Sequence, residues 1–338
     1  MKVCAIVVTY GDRFKYLKQV INACFQEGVD KIIVIDNASE ENSRSQLKKY
    51  EAKNKHKLKV IHLDENTGSA GGYKRGLKEA YNCRNCEYIW LLDDDNQPQK
   101  NSLRVLKEFW NDLKQEDKKE KISLLSYRPD RVQYKEAIMT NNPNLVLGRK
   151  NSFLGFHILD LPKKIIRILK RKMGLSTFKE NPNIKSGKVA VAPYGGMFFH
   201  KNLIDNIGHP REEFFLYADD HEWSYRITKS GGSIYLVLDS KLRDIHASWN
   251  VLNKKETSFQ VIAKGDPFRI YYSVRNRIIF EIENIVTNNL IYSINRKIFR
   301  SLVKNSKIKN KESLKSFDKA INDGLNKKTG KFNEDTIV

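Results

Sequence analysis

The chain has 338 residues, 40% of them hydrophobic, which is enough to bury a large core as one large or two modest domains. Its 61 Lys and Arg against 40 Asp and Glu give a net charge of +21, favouring an anionic partner such as nucleic acid, an anionic membrane surface or a phosphorylated substrate. The start "MKVCAIVVTYGD" is too short for a signal peptide and no later run approaches the roughly 18 apolar residues of a membrane span, so the expected location is cytoplasmic. Four cysteines make no disulfide framework, and Cys83-Arg84-Asn85-Cys86 lacks the second pair or nearby histidines of a zinc site, so that pair is read as incidental.

In chain order, "VCAIVVTY" is an apolar, β-branched strand, and "FKYLKQVINACFQ" sets Phe14, Leu17, Val20, Ile21 and Cys24 at helical spacing. "KIIVIDN" is a second strand. A charged helix around Leu47, the strand "KLKVIHL", a glycine-rich turn, a helix and the strand "YIWLL" follow. This β-α-β-α-β-α-β order predicts an α/β fold with a parallel sheet covered by helices, whose ligands bind beyond the carboxyl ends of the strands. Thr9, Tyr10 and Gly11, Asp36 and Asn37, Asn66 to Gly72, and Asp93 to Asp95 leave those ends and are expected to line one crevice.

From about residue 120 the pattern loosens. "LPKKIIRILKRKMG" is a basic amphipathic helix of the membrane-surface type, or else a solvated helix face. An ordered block runs from "VAPYGGMFFHKNLI" to "LRDIHASW". From about 267 the chain reads as Lys- and Asn-rich helices ending in a basic tail.

Three constellations carry chemistry. In "ENTGSAGGYKRGLKEAY" a helix begins among glycines, with Lys74, Arg75 and Lys78 in its first turns. Cations there oppose the helix dipole unless an anion binds, as in a phosphate site. The spacing matches neither a P-loop nor the dinucleotide fingerprint. In "YIWLLDDDNQP" the adjacent carboxylates repel one another unless a cation or water relieves them. Strand alternation turns Asp93 and Asp95 one way and Asp94 the other, which suits Mg²⁺ or Mn²⁺ with a diphosphate; a solvated acidic turn is the simpler alternative. In "FFLYADDHEWSYRITKSGG", Asp219 and Glu222 have capping-box spacing and Glu222 and Arg226 are an i, i+4 pair, leaving Asp220 as a candidate general base. His246, after a later strand, is a candidate metal ligand or a structural histidine.

The ordered series "VVTYGDR", "IIVIDNAS", "ENTGSAGGYKRGL", "LLDDDNQP", "GGMFFHKNLI", "FFLYADDHEWSYR", "IHASW" and "YYSVRNRI" resembles the family 2 inverting glycosyltransferases, over roughly residues 1 to 280. The resemblance is to galactofuranosyltransferase-like and rhamnosyltransferase-like members, with the Asn66 to Gly76 form closer to the galactofuranosyl branch. It implies a GT-A, Rossmann-like nucleotide-diphospho-sugar transferase fold with a mostly helical C-terminal extension. Residues 1–265 would be the catalytic domain, with 1–120 binding nucleotide sugar and 121–265 facing the acceptor, and 266–338 would be a basic helical region. It implies that Thr9, Tyr10, Asp36, Asn66, Gly71, Gly72, Arg75 and Asp94 contact the nucleotide sugar. Asp93, Asp95 and His246 would hold Mn²⁺ or Mg²⁺, Asp220 would be the catalytic base, and Asp219, Glu222 and Trp223 would face the acceptor. Arg275 and Asn276 fall in a "YYxxRN" segment typical of these sequences. Without the long extra domains of the polymerising members, addition of one sugar is expected. The implied reaction moves galactofuranose from UDP-galactofuranose to a lipid-linked glycan at the inner face of the plasma membrane. The alternatives are a rhamnosyltransferase using dTDP-rhamnose, a nucleotidyltransferase releasing pyrophosphate and, from another class, a nucleic-acid-binding protein.

Overall fold

In the structure, a computed structural model, residues 1–162, 166, 169, 170, 173, 175, 178–246, 257–306 and 309–332 are described. Most of the basic stretch 162–173 lies outside the described residues, as does the end of the C-terminal tail. The first hundred residues run β1 (Val3–Gly11), α1 (Phe14–Gln26), β2 (Lys31–Ser39), α2 (Glu41–Asn54), β3 (Leu58–Leu63), α3 (Gly68–Asn82) and β4 (Tyr88–Asp93), the alternation expected from the sequence. After them come β5 (Asn96–Pro98), α4 (Ser102–Asp112), β6 (Ile122–Tyr127), α5 (Val132–Met139), β7 (Ser186–Val189), β8 (Met197–His200), α6 (Asp219–Lys229) and β9 (Ser233–Asp244).

The described residues build a nine-stranded mixed sheet in the order β3-β2-β1-β4-β8-β6-β9-β5, with β7 also on β9. Strands β3, β2, β1 and β4 are parallel, and β8 runs antiparallel between β4 and β6. The chain winds from β1 outward through β2 to β3 and then returns to place β4 on the other side of β1. This reversal makes the carboxyl ends of β1 and β4 a topological switch point, the place where open α/β sheets bind ligands. Register sets the site's first residues there, because Val8 pairs with Asp93 and Thr9 with Asp36. Both faces of these strands are covered, so β1 from Val3 to Val7 is fully buried. Helix α1 buries the five residues expected from its spacing. Helix α3 lies close on the sheet because its glycines have no Cβ: one on Gly72 would come 2.6 Å from Val8 Cγ1, and one on Gly76 2.5 Å from Ile6 Cγ2. Cys4 on β1 and Cys86, just ahead of β4, form a disulfide with Cα atoms 5.5 Å apart. Cys86 is therefore structural and not incidental; its partner is set by strand pairing and not by local spacing.

The chain divides into two compact units whose segments interleave. The first comprises Met1–Pro143, Asn181–Glu212 and Asp220–Ser248; the second comprises Asn144–Glu180, Glu213–Asp219 and Trp249–Val338. These bounds differ from the expected cuts after 120 and 265. The reason is that Phe153 and Phe156 pack in an aromatic core with Tyr272, Ile278, Phe299 and Phe317 from the C-terminal helices. Those helices are α7 (Ser258–Lys264), α8 (Pro267–Asn284), α9 (Asn289–Lys304) and α10 (Lys311–Leu325). On α8, Arg275 and Asn276 are fully buried. The amide of Asn276 donates to the carbonyls of Phe214, Leu216 and Tyr217 at 2.8, 2.8 and 2.9 Å. Arg275 donates to the carbonyls of Phe214, at 3.3 Å, and Gly330, at 2.6 Å. This clamp holds a short segment in which Phe215, Tyr217 and Ala218 adopt left-handed φ values of 64°, 64° and 57°.

Candidate active site

The carboxylates Asp93, Asp94 and Asp95 stand at the carboxyl end of β4, and the structure shows what relieves their repulsion. Asp94 is buried, with Thr9 Oγ1 donating to it at 2.8 Å and Arg13 donating through Nε at 2.8 Å and Nη2 at 2.7 Å. Arg13 also reaches Asp95 Oδ2 at 2.8 Å. A cation just ahead of α1 opposes that helix's dipole, and the two carboxylates more than offset this. Asp93 takes a second arginine: Arg128 leaves the carboxyl end of β6 and donates to Asp93 Oδ2 at 3.2 Å and to Asp244 Oδ2 at 2.5 Å. Asn96, the cross-strand partner of Asp244 between β5 and β9, ties the ends together, donating to Asp95 Oδ1 at 3.1 Å and Asp244 Oδ1 at 2.8 Å. Tyr73 from α3 donates to Asp93 Oδ1 at 2.8 Å.

The result is a bonded cluster of four carboxylates and two guanidiniums. Burial raises the Asp95 carboxyl to about 6, with Asp93 and Asp94 adding to the rise and Arg13 opposing it. Burial likewise raises Asp244 to about 7, against the pull of Arg128. Backbone fit is tight here, since a Cβ on Gly195 would stand 2.1 Å from Asn96 Oδ1 and 2.6 Å from Asp93 Oδ2. Arg13, Arg128, Asn96 and Asp244 were absent from the sequence expectation. The signal available for them was position alone, each lying at a strand end on the same edge of the sheet.

The expected site residues separate on inspection. Asp93 has a 39% exposed side chain and Asp95 a 15% exposed one, whereas Asp94 is buried and accepts from Arg13 and Thr9. Thr9 is buried as well. Tyr10 is 48% exposed, with Arg13 over its ring at 5.4 Å. Asp36, expected beside the nucleotide, is fully buried and accepts from Ser39 N–H, Arg44 Nε and His62 Nδ1 at 2.9, 2.8 and 2.6 Å. Burial alone would raise its pKa, but these bonds hold it below the ordinary carboxylate value. Asn66 is exposed and accepts from Gly68 N–H at 2.8 Å. Gly71 and Gly72 are buried and serve packing, the former against Thr67 and the latter against Val8. Arg75 is exposed, and Lys74 pairs with Glu212 at 3.0 Å.

His246 lies with its ring 4.9 Å from that of Tyr16. No group of three His, Cys, Asp or Glu side chains suited to a metal comes together among the described residues, so His246 is not gathered with Asp93 and Asp95. As hard oxygen donors, the two aspartates are of the type that a divalent ion takes. Each of their oxygens accepts one donor and keeps a second lone pair, and Asp93 faces solvent, where a hard ion would retain water and phosphate ligands.

Helix α6 begins at Asp219. Asp220 is half-buried and accepts from the backbone N–H of His221 at 2.7 Å. The residues expected on the acceptor side are interior. Trp223 is fully buried, donating Nε1 to Gly208 O at 2.9 Å and packing against Tyr194 and Phe199. Asp219 is 2% exposed, and Glu222 is held by Arg226 at 3.0 and 2.6 Å, as its spacing predicts.

Residues 4–117 match the family model described as Glycosyl transferase family 2. A search of curated protein sequences finds no match. Among solved structures, the chain is similar to S. aureus TarS, with 16% identity, a TM-score of 0.50, and coverage of 96% of this chain and 49% of that one. It is similar to GalNAc-T7 solved with UDP, GalNAc and Mn²⁺, with 11% identity, a TM-score of 0.50, and coverage of 90% and 55%. It is also similar to the mannosyltransferase PcManGT from Pyrobaculum calidifontis in complex with GDP-Man and Mn²⁺, with 12% identity, a TM-score of 0.52, and coverage of 99% and 78%. The chain spans about half the length of the first two. At these identities the likeness is one of fold, and the fold is that of the GT-A glycosyltransferases, with a helical C-terminal region.

Proposed function

We propose that this chain is an inverting glycosyltransferase that moves one sugar from a nucleoside-diphosphate donor to an acceptor hydroxyl. The observation that carries the reading is the end of β4, where Asp95 is bonded by Arg13 and Asp93 by Arg128. Two carboxylates flanked by guanidiniums suit a divalent ion and a diphosphate together, and would repel a bare phosphate chain without the ion. When bound, Mn²⁺ or Mg²⁺ would supply Lewis-acid stabilisation to the departing nucleoside diphosphate. Asp93 and Asp95 would hold it, with Tyr73, Asn96 and the arginines fixing their orientation. Exposed Tyr10, Asn66 and Arg75 would contact the nucleotide sugar, and Asp220 would take the acceptor proton, inverting the anomeric carbon.

The form of the Asn66 to Gly76 segment supports UDP-galactofuranose as donor. The +21 charge supports a lipid-linked glycan acceptor at an anionic inner membrane face. No helix among the described residues is long and apolar enough to cross a membrane.

The test is calorimetric titration of the wild type and of an Asp93→Ala, Asp95→Ala double variant with UDP, with and without Mn²⁺. Metal-dependent UDP binding that the double variant loses supports the reading, and screening of UDP-sugars then begins with UDP-galactofuranose. Absence of UDP binding at any metal concentration overturns the uridine donor, and equal binding by the double variant overturns the role of the carboxylates.

A further inference from the structure

Helix α9 has two apolar faces. Tyr292, Asn295, Phe299 and Val303 form the buried stripe that packs into the second unit's core. On the other side Leu290 is 70% exposed, Ile291 37%, Ile294 44% and Leu302 38%. A surface helix ordinarily carries polar residues there. The same helix bears Arg296, Lys297, Arg300 and Lys304 and has no carboxylate of its own from 289 to 304, although Arg300 and Lys304 pair with Asp318 of α10 at 2.7 and 2.9 Å. The apolar surface extends off the helix. Ile158 N–H donates to Asn295 Oδ1 at 3.0 Å, which sets Ile158 and the 66% exposed Leu159 beside α9. Among the described residues, ten of the thirteen large exposed apolar side chains belong to this unit. From Asp160 the chain runs directly into the Lys- and Arg-rich stretch "LPKKIIRILKRKMG".

We propose that the outer face of α9, with Ile158 and Leu159, docks on the surface of an anionic lipid bilayer. Leu290, Ile291, Ile294 and Leu159 enter the headgroup and acyl boundary, and Arg296 and Lys297 of α9 face the lipid phosphates. Charge selects this occupant. A second copy of the chain on this face would oppose cation to cation, and a nucleic acid backbone would leave the apolar side chains uncovered. The inference deepens the membrane-held acceptor of the proposed function, but it uses none of the carboxylates at the end of β4 and stands or falls without them.

The test is co-sedimentation of the full chain with vesicles of phosphatidylcholine alone and of phosphatidylcholine with phosphatidylglycerol, for the wild type and for Leu290→Ser, Ile291→Ser, Ile294→Ser combined. All three positions are exposed, so the melting temperature should hold. The wild type is expected to bind the anionic vesicles, more strongly at low salt, and the triple variant to bind at least about a hundredfold more weakly, since three apolar side chains no longer enter the lipid. Metal-dependent UDP binding should be equal in both proteins, which separates loss of docking from failure of the donor site. Absence of wild-type binding to anionic vesicles, or equal binding by the triple variant, overturns the proposal. A concentration-dependent dimer in sedimentation that the triple variant abolishes also overturns it, in favour of a second copy.

Discussion

The chain contains two acidic runs, Asp93-Asp94-Asp95 after β4 and Asp219-Asp220-His221-Glu222 at the start of α6, and the fold treats them in the same way. In each, the structure takes some carboxylates as internal partners and leaves others accessible. Asp94 is taken by Arg13 and Thr9, leaving Asp93 and Asp95 nearer solvent. Asp219 is buried and Glu222 is taken by Arg226, leaving Asp220 half-buried with its carboxylate accepting from the neighbouring His221 N–H. Acidic side chains in the same run thus divide into scaffold and candidate chemistry, by a partner distant in sequence for Asp94 and by one four residues on for Glu222. Arg13 is 81 residues from Asp94, and Arg128 is 116 from Asp244.

The largest effects should show this division directly. Asp220→Asn should lower turnover by about 10²–10⁴-fold if Asp220 is the base. It should leave the melting temperature unchanged, since Asn can also accept the His221 N–H. Asp94→Ala should do the opposite first. It strips the half-buried Arg13 of its main partner, leaves it Asp95 alone and removes the acceptor of Thr9, a loss worth about 1–3 kcal/mol of stability, and any fall in activity should follow the loss of folded protein. Thermal melts and initial rates on both variants decide the matter. A stable Asp94→Ala protein that has lost nucleotide binding would make Asp94 a ligand contact and break the comparison.

Much of this fold is legible in the sequence because it rests on local periodicity. The β-α-β alternation, the buried stripe of α1 and the Glu222–Arg226 pair all follow from spacing within a few residues. What is not legible depends on register and long-range packing. Cys4 and Cys86 meet because β1 and β4 pair, Asn96 and Asp244 because β5 and β9 do, and Asp36 is interior because Arg44 and His62 close over it. Trp223 shows the same limit: an aromatic beside acidic residues suggests a sugar-facing wall, yet Tyr194 and Phe199 draw it into the core. The glycines after Asn66 suggest a phosphate loop, but the close approach of α3 to β1 accounts for Gly72.

A smaller effect is expected at the segment that leads into Asp220. Asn276 holds three carbonyls of a turn whose left-handed residues do not favour that conformation alone. Asn276→Ala should cost about 1–3 kcal/mol by removing the amide that the carbonyls of Leu216 and Tyr217 accept from. Amide exchange should rise in 213–219 before it rises elsewhere. Unchanged protection of that segment would show that it is held without the clamp.

Asp36 offers the mildest test, because it is an aspartate near a strand's carboxyl end that is fully buried and bonded within the fold. Its folded pKa is depressed: burial pushes it up, but the bonds from Ser39, His62 and Arg44 pull it further down. A depressed acid stabilises the fold above its unfolded pKa and loses that contribution as pH falls through the folded value. The stability advantage of wild type over Asp36→Asn should therefore be complete near neutrality, begin to shrink below about pH 4, where an unfolded aspartate titrates, and disappear in stronger acid. Melting temperatures of the two proteins across that range measure it. An advantage that persists unchanged into strong acid would mean that Asp36 acts through shape and not charge. Undiminished stability of Asp36→Asn at neutral pH, together with weakened UDP binding, would instead place this carboxylate with Asp93 and Asp95 on the side that meets the ligand.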